Sequence, residues 1–247
     1  MLLLEESIYN IKCIIEYDGA NYQGFQIQND EPTIELYLKK AISFIIKSDV
    51  KIYASGRTDK GVHAKGQVIN FNTSFYIEPS RFMYAINRGL PDDIRVLSLS
   101  YVPLSFHSRF SAKKKEYRYY IKFQNYSVFE ARYKTYIKYD LMVEAIKLFL
   151  GEHDFTSFCS ADVDDRKSCV KTITKAYINK HQDEYEFVFE GTGFLKYQIR
   201  RMMGILIAIG HEKIKKDIIL ELYQNHSKQM HYPVAPGCGL YLVRVDY

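Results

Sequence analysis

Residues 50–71 read VKIYASGRTDKGVHAKGQVINF, and this stretch decides the fold. Val50–Ser55 and Gln67–Phe71 are short runs rich in β-branched and aromatic residues, the composition of strands. Between them Gly56–Gly66 holds glycines at 56, 61 and 66, the residue that turns tightly and lets another group approach the backbone. Two strands joined this way need helices to cover them. Upstream, Ile8–Tyr17 is a strand closed by the turn Tyr17-Asp18-Gly19, and Thr33 is placed to cap a helix on which Leu36, Ile42, Ile45 and Ile46 recur. Downstream, Pro79 opens a helix through Asn87, and Ile94–Tyr101 is a further strand. The order is βαββαβ.

The second half repeats the rhythm. A tyrosine-rich strand covers Glu116–Phe123, a helix Leu141–Leu150, strands Val170–Lys180 and Tyr185–Glu190, a helix Tyr197–Gly210 and a closing strand Leu240–Tyr247. An acidic loop, Asp162–Arg166, and an extra helix near Asp217–Asn225 are interposed. Two α+β halves follow, residues 1–103 and 104–247, with the boundary near Pro103 and no Gly/Ser-rich linker.

At 247 residues, 47% hydrophobic and 26% charged, the chain has the composition of a folded globular protein, which excludes a disordered or collagen-like one. Its most apolar helix, ending at Gly204–Gly210, is too short for a membrane span. Met1–Glu6 lacks the basic and cleavage regions of a secretory signal, so a cytoplasmic location is expected. Cys13, Cys159, Cys169 and Cys238 form no CxxC pair and no zinc spacing; reduced thiols and no metal are expected. The formal charge is +5, and the window Arg109–Arg118 carries Arg109, Lys113, Lys114, Lys115 and Arg118 against Glu116 alone. That window is a candidate anion-binding strip, with a solvated strand face as its plainer meaning.

The chemistry concentrates in Gly56-Arg57-Thr58-Asp59-Lys60-Gly61-Val62-His63-Ala64. Arg57 and Asp59, two apart, share one side of an extended chain, so a guanidinium can steer a carboxylate and keep it ionised. A surface turn with an exposed ion pair is the plainer meaning. Asp59 with His63 suggests a hydrolase couple, but no G-x-S-x-G supplies a nucleophile, and no glycine-rich nucleotide fingerprint is present. A reaction that needs neither metal nor nucleotide fits best.

These blocks also carry a resemblance. Tyr17-Asp18-Gly19, Tyr22-Gln23-Gly24-Phe25-Gln26-Ile27-Gln28, the Gly56–Ala64 block and Gly66-Gln67-Val68 resemble the TruA-type tRNA pseudouridine synthases. So do Phe106-His107-Ser108-Arg109-Phe110-Ser111-Ala112, Lys115-Glu116-Tyr117-Arg118-Tyr119 and Asp154-Phe155-Thr156-Ser157-Phe158. Gly193-Phe194-Leu195 with Arg200, and Ala235-Pro236 with Gly239-Leu240-Tyr241-Leu242, complete the set in the family's order. The resemblance implies two ferredoxin-like halves forming a central, mostly antiparallel sheet with a cleft, working as a homodimer on tRNA. It implies cofactor-free isomerisation of uridine at positions 38, 39 and 40 of the anticodon stem-loop. Asp59 takes the place of the family's catalytic aspartate, Arg57 of its partner, and Tyr117 of the tyrosine against the target base. His107, Arg109 and Arg118 are candidates for phosphate or ribose. Arg200, on an otherwise apolar helix face, needs either a buried carboxylate such as Asp59 or the RNA. Phe25 and Ile27 stand where the family commonly has Trp and Arg, which changes that loop's RNA contacts. A tRNA-binding protein of the same fold without catalysis is the alternative.

Overall fold

Tyr9–Tyr17 (β1) alternates cleanly: Ile11, Cys13, Ile15 and Tyr17 are buried while the residues between them are half-exposed. That period of two gives the strand one core face. The computed structural model describes residues 8–29, 31–122, 137–164, 166, 168–229 and 232–247. It divides into two units, Met1–Lys113 with Tyr241–Tyr247, and Lys114–Leu240.

In the first unit β1 pairs antiparallel with His63–Thr73 (β3) on one side and Ile94–Val102 (β4) on the other, so that Cys13 faces Ile69 and Leu99. Tyr53–Ala54 (β2) pairs antiparallel with β3 at Asn70 and Ile69. Leu240–Asp246 (β9) joins β3 in parallel at His63 and Ala64. Helix Ile34–Ile46 (α1) buries Ile34, Leu38, Ala41, Ile42 and Ile46. This stripe is rotated from the one expected, and Leu36 and Ile45 are half-buried on its flank. Thr33 occupies the cap position, but its side chain makes no capping bond. The first N–H groups of α1 are satisfied instead by neighbouring backbone: Ile34 N donates to Gly24 O at 3.2 Å and Glu35 N to Phe25 O at 2.8 Å. Helix Pro79–Arg88 (α2) is capped by Glu78, whose carboxylate accepts from Ser80 N and Arg81 N. The observed order is the βαββαβ read from the sequence.

The second unit is also α+β, with strands in the order β5-β8-β7-β6, all antiparallel: Lys114–Lys122 (β5), Gly151–Asp154 (β6), Val170–Lys180 (β7) and Glu184–Gly191 (β8). The strand β8 is buried from Tyr185 through Gly191, with Phe187 and Phe189 alternating with Glu186, Val188 and Glu190. Among the described residues the unit also holds the α-helices Tyr139–Ile146 (α3), Gln198–Gly210 (α4) and Ile218–Asn225 (α5). The expected helix Leu141–Leu150 ends as α-helix at Ile146 and continues as a 3-10 turn, Lys147–Phe149. The polar strand β6 was not expected. In α4, Ile199, Met202, Met203 and Leu206 form core; Phe194 and Leu195 precede the helix and are half-buried. Phe123 and Asp165, ends or members of expected elements, and the Met1–Glu6 segment lie outside the described residues.

Among the described residues no helix is long and apolar enough to cross a membrane, and no group of three or more His, Cys, Asp or Glu is placed to hold a metal ion.

The helix α2 is fastened to the sheet by Phe82, fully buried with its ring perpendicular to that of Phe71 at 6.0 Å. Phe82→Ala should cost about 3–5 kcal/mol of stability, read as a fall in the denaturant midpoint with an unchanged m-value. A change under ~1 kcal/mol would mean that α2 does not depend on this contact.

Candidate active site

The loop between β2 and β3 is held from several directions, all within the first unit. Exposure varies along it: Arg57 is exposed, Thr58 buried, Asp59 half-buried and Lys60 exposed. Thr58 Oγ1 lies 2.8 Å from the Tyr17 hydroxyl, and burial raises the pKa of that phenol, so it stays protonated. The Thr58 carbonyl accepts from Phe25 N at 3.0 Å, and Asp59 O accepts from Val62 N at 3.1 Å. At the base of the loop the Gln67 amide donates to Gly56 O at 2.7 Å and its oxygen accepts from Ser55 Oγ at 2.6 Å. Asp59 is therefore presented by a loop whose backbone has little freedom.

Two glycines in neighbouring loops make this possible. A Cβ on Gly19 would lie 2.0 Å from Val62 O, and one on Gly24, which has φ +105°, would lie 2.8 Å from Thr58 O. No other residue allows these turns to sit against the Arg57–Val62 backbone. The blocks Tyr17-Asp18-Gly19 and Tyr22–Gln28 thus brace the Gly56–Val62 loop, a role that residue type alone did not disclose. Gly24 and Phe25 also cap α1, so one short loop ties the helix to the site.

His63, the first residue of β3, is buried and stacks on Tyr241 at 4.5 Å with planes 14° apart. Its Nδ1 is 2.9 Å from Asp18 Oδ1 and 3.2 Å from Gly19 N. One nitrogen cannot both donate to the carboxylate and accept from the N–H, so the two bonds exclude each other. An open cleft of about 360 Å³ lies beside this ring, lined by Asp18, Lys65, Asp93, Arg95 and Tyr241 among others. Arg57 and Asp59 do not line it, so it is not assigned to the chemistry of the loop.

In the second unit Tyr117 on β5 is 7% exposed, its ring set edge-on to Phe194 at 5.3 Å and 82°. Arg200 on α4 donates from Nε to Ala235 O at 2.8 Å, with its guanidinium 5.0 Å from the centre of the Tyr197 ring. Arg118 is bound to two acids, with Nη2 2.7 Å from Glu116 and Nη1 2.9 Å from Glu186. Lys114 and Lys175 both reach Glu190, at 3.3 and 3.0 Å. The basic window Arg109–Arg118 is thus partly neutralised by carboxylates from the adjacent strand β8, which a count along the sequence misses. Burial opposes ionisation of Glu186, but bonds from Asn179, Tyr120 and Arg118 outweigh it and pull its pKa down to about 2. Lys175 holds Glu190 at about 2 as well, against its burial and with help from Thr174 and Lys114. Lys113 stays exposed, as does Arg109 in the first unit.

His107 and Arg109 lie in a turn anchored by Ser108, which is fully buried. Ser108 N donates to Asn70 Oδ1 at 2.9 Å, Ser108 Oγ to Tyr53 O at 2.6 Å, and the Tyr247 hydroxyl to Ser108 O at 2.7 Å.

A family model described as tRNA pseudouridine synthase matches residues 13–111 and 145–247. The chain is 43% identical over 244 residues to a tRNA pseudouridine synthase A of Anoxybacillus flavithermus, covering 96% of this chain and 98% of the relative. A tRNA pseudouridine synthase A 1 of Bacillus cereus is 40% identical over 243 residues, with coverage of 96% and 98%. A tRNA pseudouridine synthase A of Acetivibrio thermocellus is 38% identical over 243 residues, covering 96% and 99%. The Gly56–Ala64 loop and both glycine turns fall inside the first matched segment.

The Glu186 and Glu190 pairs set an acid limit on stability. Their folded pKa values lie below the ordinary 4.5, so the contribution is full above that value and is lost as pH falls from about 4.5 towards 2. Glu190→Gln should lower the melting temperature at pH 7 and flatten its fall across that window. An equally steep acid limb in the variant would show that Glu190 is not a source of the dependence.

Proposed function

The chain belongs to the tRNA pseudouridine synthase family, and from this premise we propose that it isomerises uridine at positions 38, 39 and 40 of the tRNA anticodon stem-loop, with Asp59 as the catalytic residue. As a member of that family it is an isomerase acting on tRNA. The observation that carries the catalytic assignment is the braced Arg57-Thr58-Asp59 segment, in which Thr58 is buried and bonded between an exposed Arg57 and a half-buried Asp59.

Uridine and pseudouridine contain the same atoms, so the reaction consumes no co-substrate. The N1–C1′ bond breaks, the uracil turns while held, C5 joins C1′, and the proton lost from C5 is balanced by one gained at N1. Asp59 supports each route by which a carboxylate can start this: attack on the sugar, attack on the base, or removal of a sugar proton. A rigid loop favours any of them, because the carboxylate is aimed before substrate arrives. The target base leaves its stack at a cost of a few kcal/mol; Arg57 occupies the vacated space and steers Asp59. Tyr117 stacks on the extruded base, a contact worth about 1–3 kcal/mol, and Phe194 fixes the plane of its ring. His107, Arg109 and Arg200 contact the RNA backbone. The two bonds from Arg118 to Glu116 and Glu186 favour a lesser, positioning part for it beside Tyr117. The working form is a cytoplasmic homodimer that shares one tRNA.

Asp59→Asn should abolish pseudouridine formation while tRNA affinity holds or rises, since it removes charge and keeps shape. Arg57→Ala should lower both. Tyr117→Leu should lose more than Tyr117→Phe if stacking outweighs the hydroxyl. Pseudouridine mapping on an unmodified tRNA transcript, beside a filter-binding constant for each variant, checks all three; robust turnover by Asp59→Asn overturns the assignment.

A further inference from the structure

Phe110 is 77% exposed, although it sits in one of the most firmly anchored turns of the first unit. The turn His107–Ser111 is closed by Ser111 N donating to His107 O at 2.9 Å and His107 N donating to Ser111 Oγ at 3.1 Å. Ser108 pins it to Asn70, Tyr53 and Tyr247 through the three bonds described above. The exposed ring is therefore displayed by a fixed backbone and not by a loose loop tip.

Phe110 also ends a row of rings. Its centroid lies 4.4 Å from that of His107, and His107 lies 4.7 Å from Tyr53, the planes tilted by 39° and 51°. A cation stands over each end of the row, Arg109 with Cζ 5.7 Å from the centre of the Phe110 ring and Lys51 with Nζ 5.2 Å from that of Tyr53. Arg109 N donates to His107 Nδ1 at 3.1 Å, which makes that nitrogen an acceptor and fixes the ring's place in the row. The five side chains are aromatic or cationic, with no carboxylate among them.

Leaving a phenylalanine in water forgoes about 1.5–3 kcal/mol of burial, and a rigid exposed ring loses little further freedom when a ligand covers it. An apolar face edged with cations fits a flat heteroaromatic group joined to an anion, as a nucleotide provides, better than it fits a purely apolar surface. Tyr53 precedes Arg57 by four residues and Asp59 by six, so the inner ring's backbone is at most about 22 Å from that of Asp59. One folded RNA reaches both.

We propose that Phe110, backed by His107 and Tyr53, is a stacking platform for an unpaired base of the bound tRNA, a base other than the one isomerised, with Arg109 and Lys51 on the flanking phosphates. This rests on the reading of tRNA as substrate. The platform holds the RNA equally before and during the reaction, so it acts on KM and not on kcat.

The test compares Phe110→Ala, Phe110→Leu and Phe110→Tyr with wild type in filter binding to an unmodified tRNA transcript over a salt series, and in steady-state pseudouridine formation. Phe110→Ala and Phe110→Leu should weaken binding and raise KM about fivefold or more, with kcat within twofold and the salt slope unchanged; Phe110→Tyr should match wild type. Arg109→Ala should instead flatten the log K against log salt slope by about one. Binding and KM within twofold of wild type for both Phe110→Ala and Phe110→Leu overturn the platform while wild-type turnover leaves the substrate reading standing. If those variants keep their tRNA affinity but shift a dimer to monomer in sedimentation equilibrium, the face joins two copies of the chain and the RNA assignment is wrong. A wild-type protein that neither binds nor converts tRNA removes the substrate reading and the platform together.

Discussion

Thr58 is the residue on which the site's geometry turns. Its hydroxyl meets Tyr17, the last residue of β1, and its carbonyl meets the N–H of Phe25, in the loop that caps α1. The strand β1, the helix α1 and the loop that carries Asp59 are thereby joined at one buried position. Each bond is ordinary in strength, near 1 kcal/mol net, but together they leave the flanking Arg57 and Asp59 few ways to move. The two glycine turns add a steric limit to this, since contact at Val62 O and Thr58 O leaves no space for a side chain. Stiffness here costs the fold two unfavourable residues and gives the carboxylate a fixed address.

The second unit solves a different problem, that of placing acids in a sheet interior. Glu186 and Glu190 are nearly buried on β8, opposite the face formed by Phe187 and Phe189, and are compensated by cations and hydroxyls from β5 and β7. A lysine or arginine bound in this way serves the sheet before it serves a ligand. Of the basic residues between 109 and 118, Arg109 and Lys113 are exposed and face water, while Lys114 and Arg118 reach carboxylates.

Much of this was legible in the sequence because it depends on periodicity and local chemistry. The strand Val170–Lys180 and helix Pro79–Arg88 follow from β-branched runs and from proline at the first helical position. The Gly56–Ala64 block is informative because few chemistries use an arginine, a threonine and an aspartate between glycines. What was not legible depends on partners distant in the chain. The four-residue strand β6 is polar and exists only because β7 offers an edge. Thr33 was a reasonable cap until the carbonyls of Gly24 and Phe25 took that part. The charge of the basic window was overcounted because Glu186 and Glu190 lie some 70 residues further on in the sequence and next door in the sheet. Phe194 and Leu195 continue the helical spacing of α4, yet the helix begins only after Tyr197, which has φ +64°.

The strand β9 gives the first unit an unusual history. Its partner β3 lies far upstream, and Tyr247 holds the turn at Ser108 from the same distant stretch. During synthesis the first unit emerges without this strand, and the whole of Lys114–Leu240 is made before Tyr241 appears. Until then the edge of β3 at His63 is unpaired by β9, and His63 lacks the Tyr241 ring it rests on. Such long-range closure is the slow kind in folding. The nascent chain therefore carries the complete Gly56–Ala64 loop on an unfinished scaffold, and the first unit closes only once β9 has followed Lys114–Leu240.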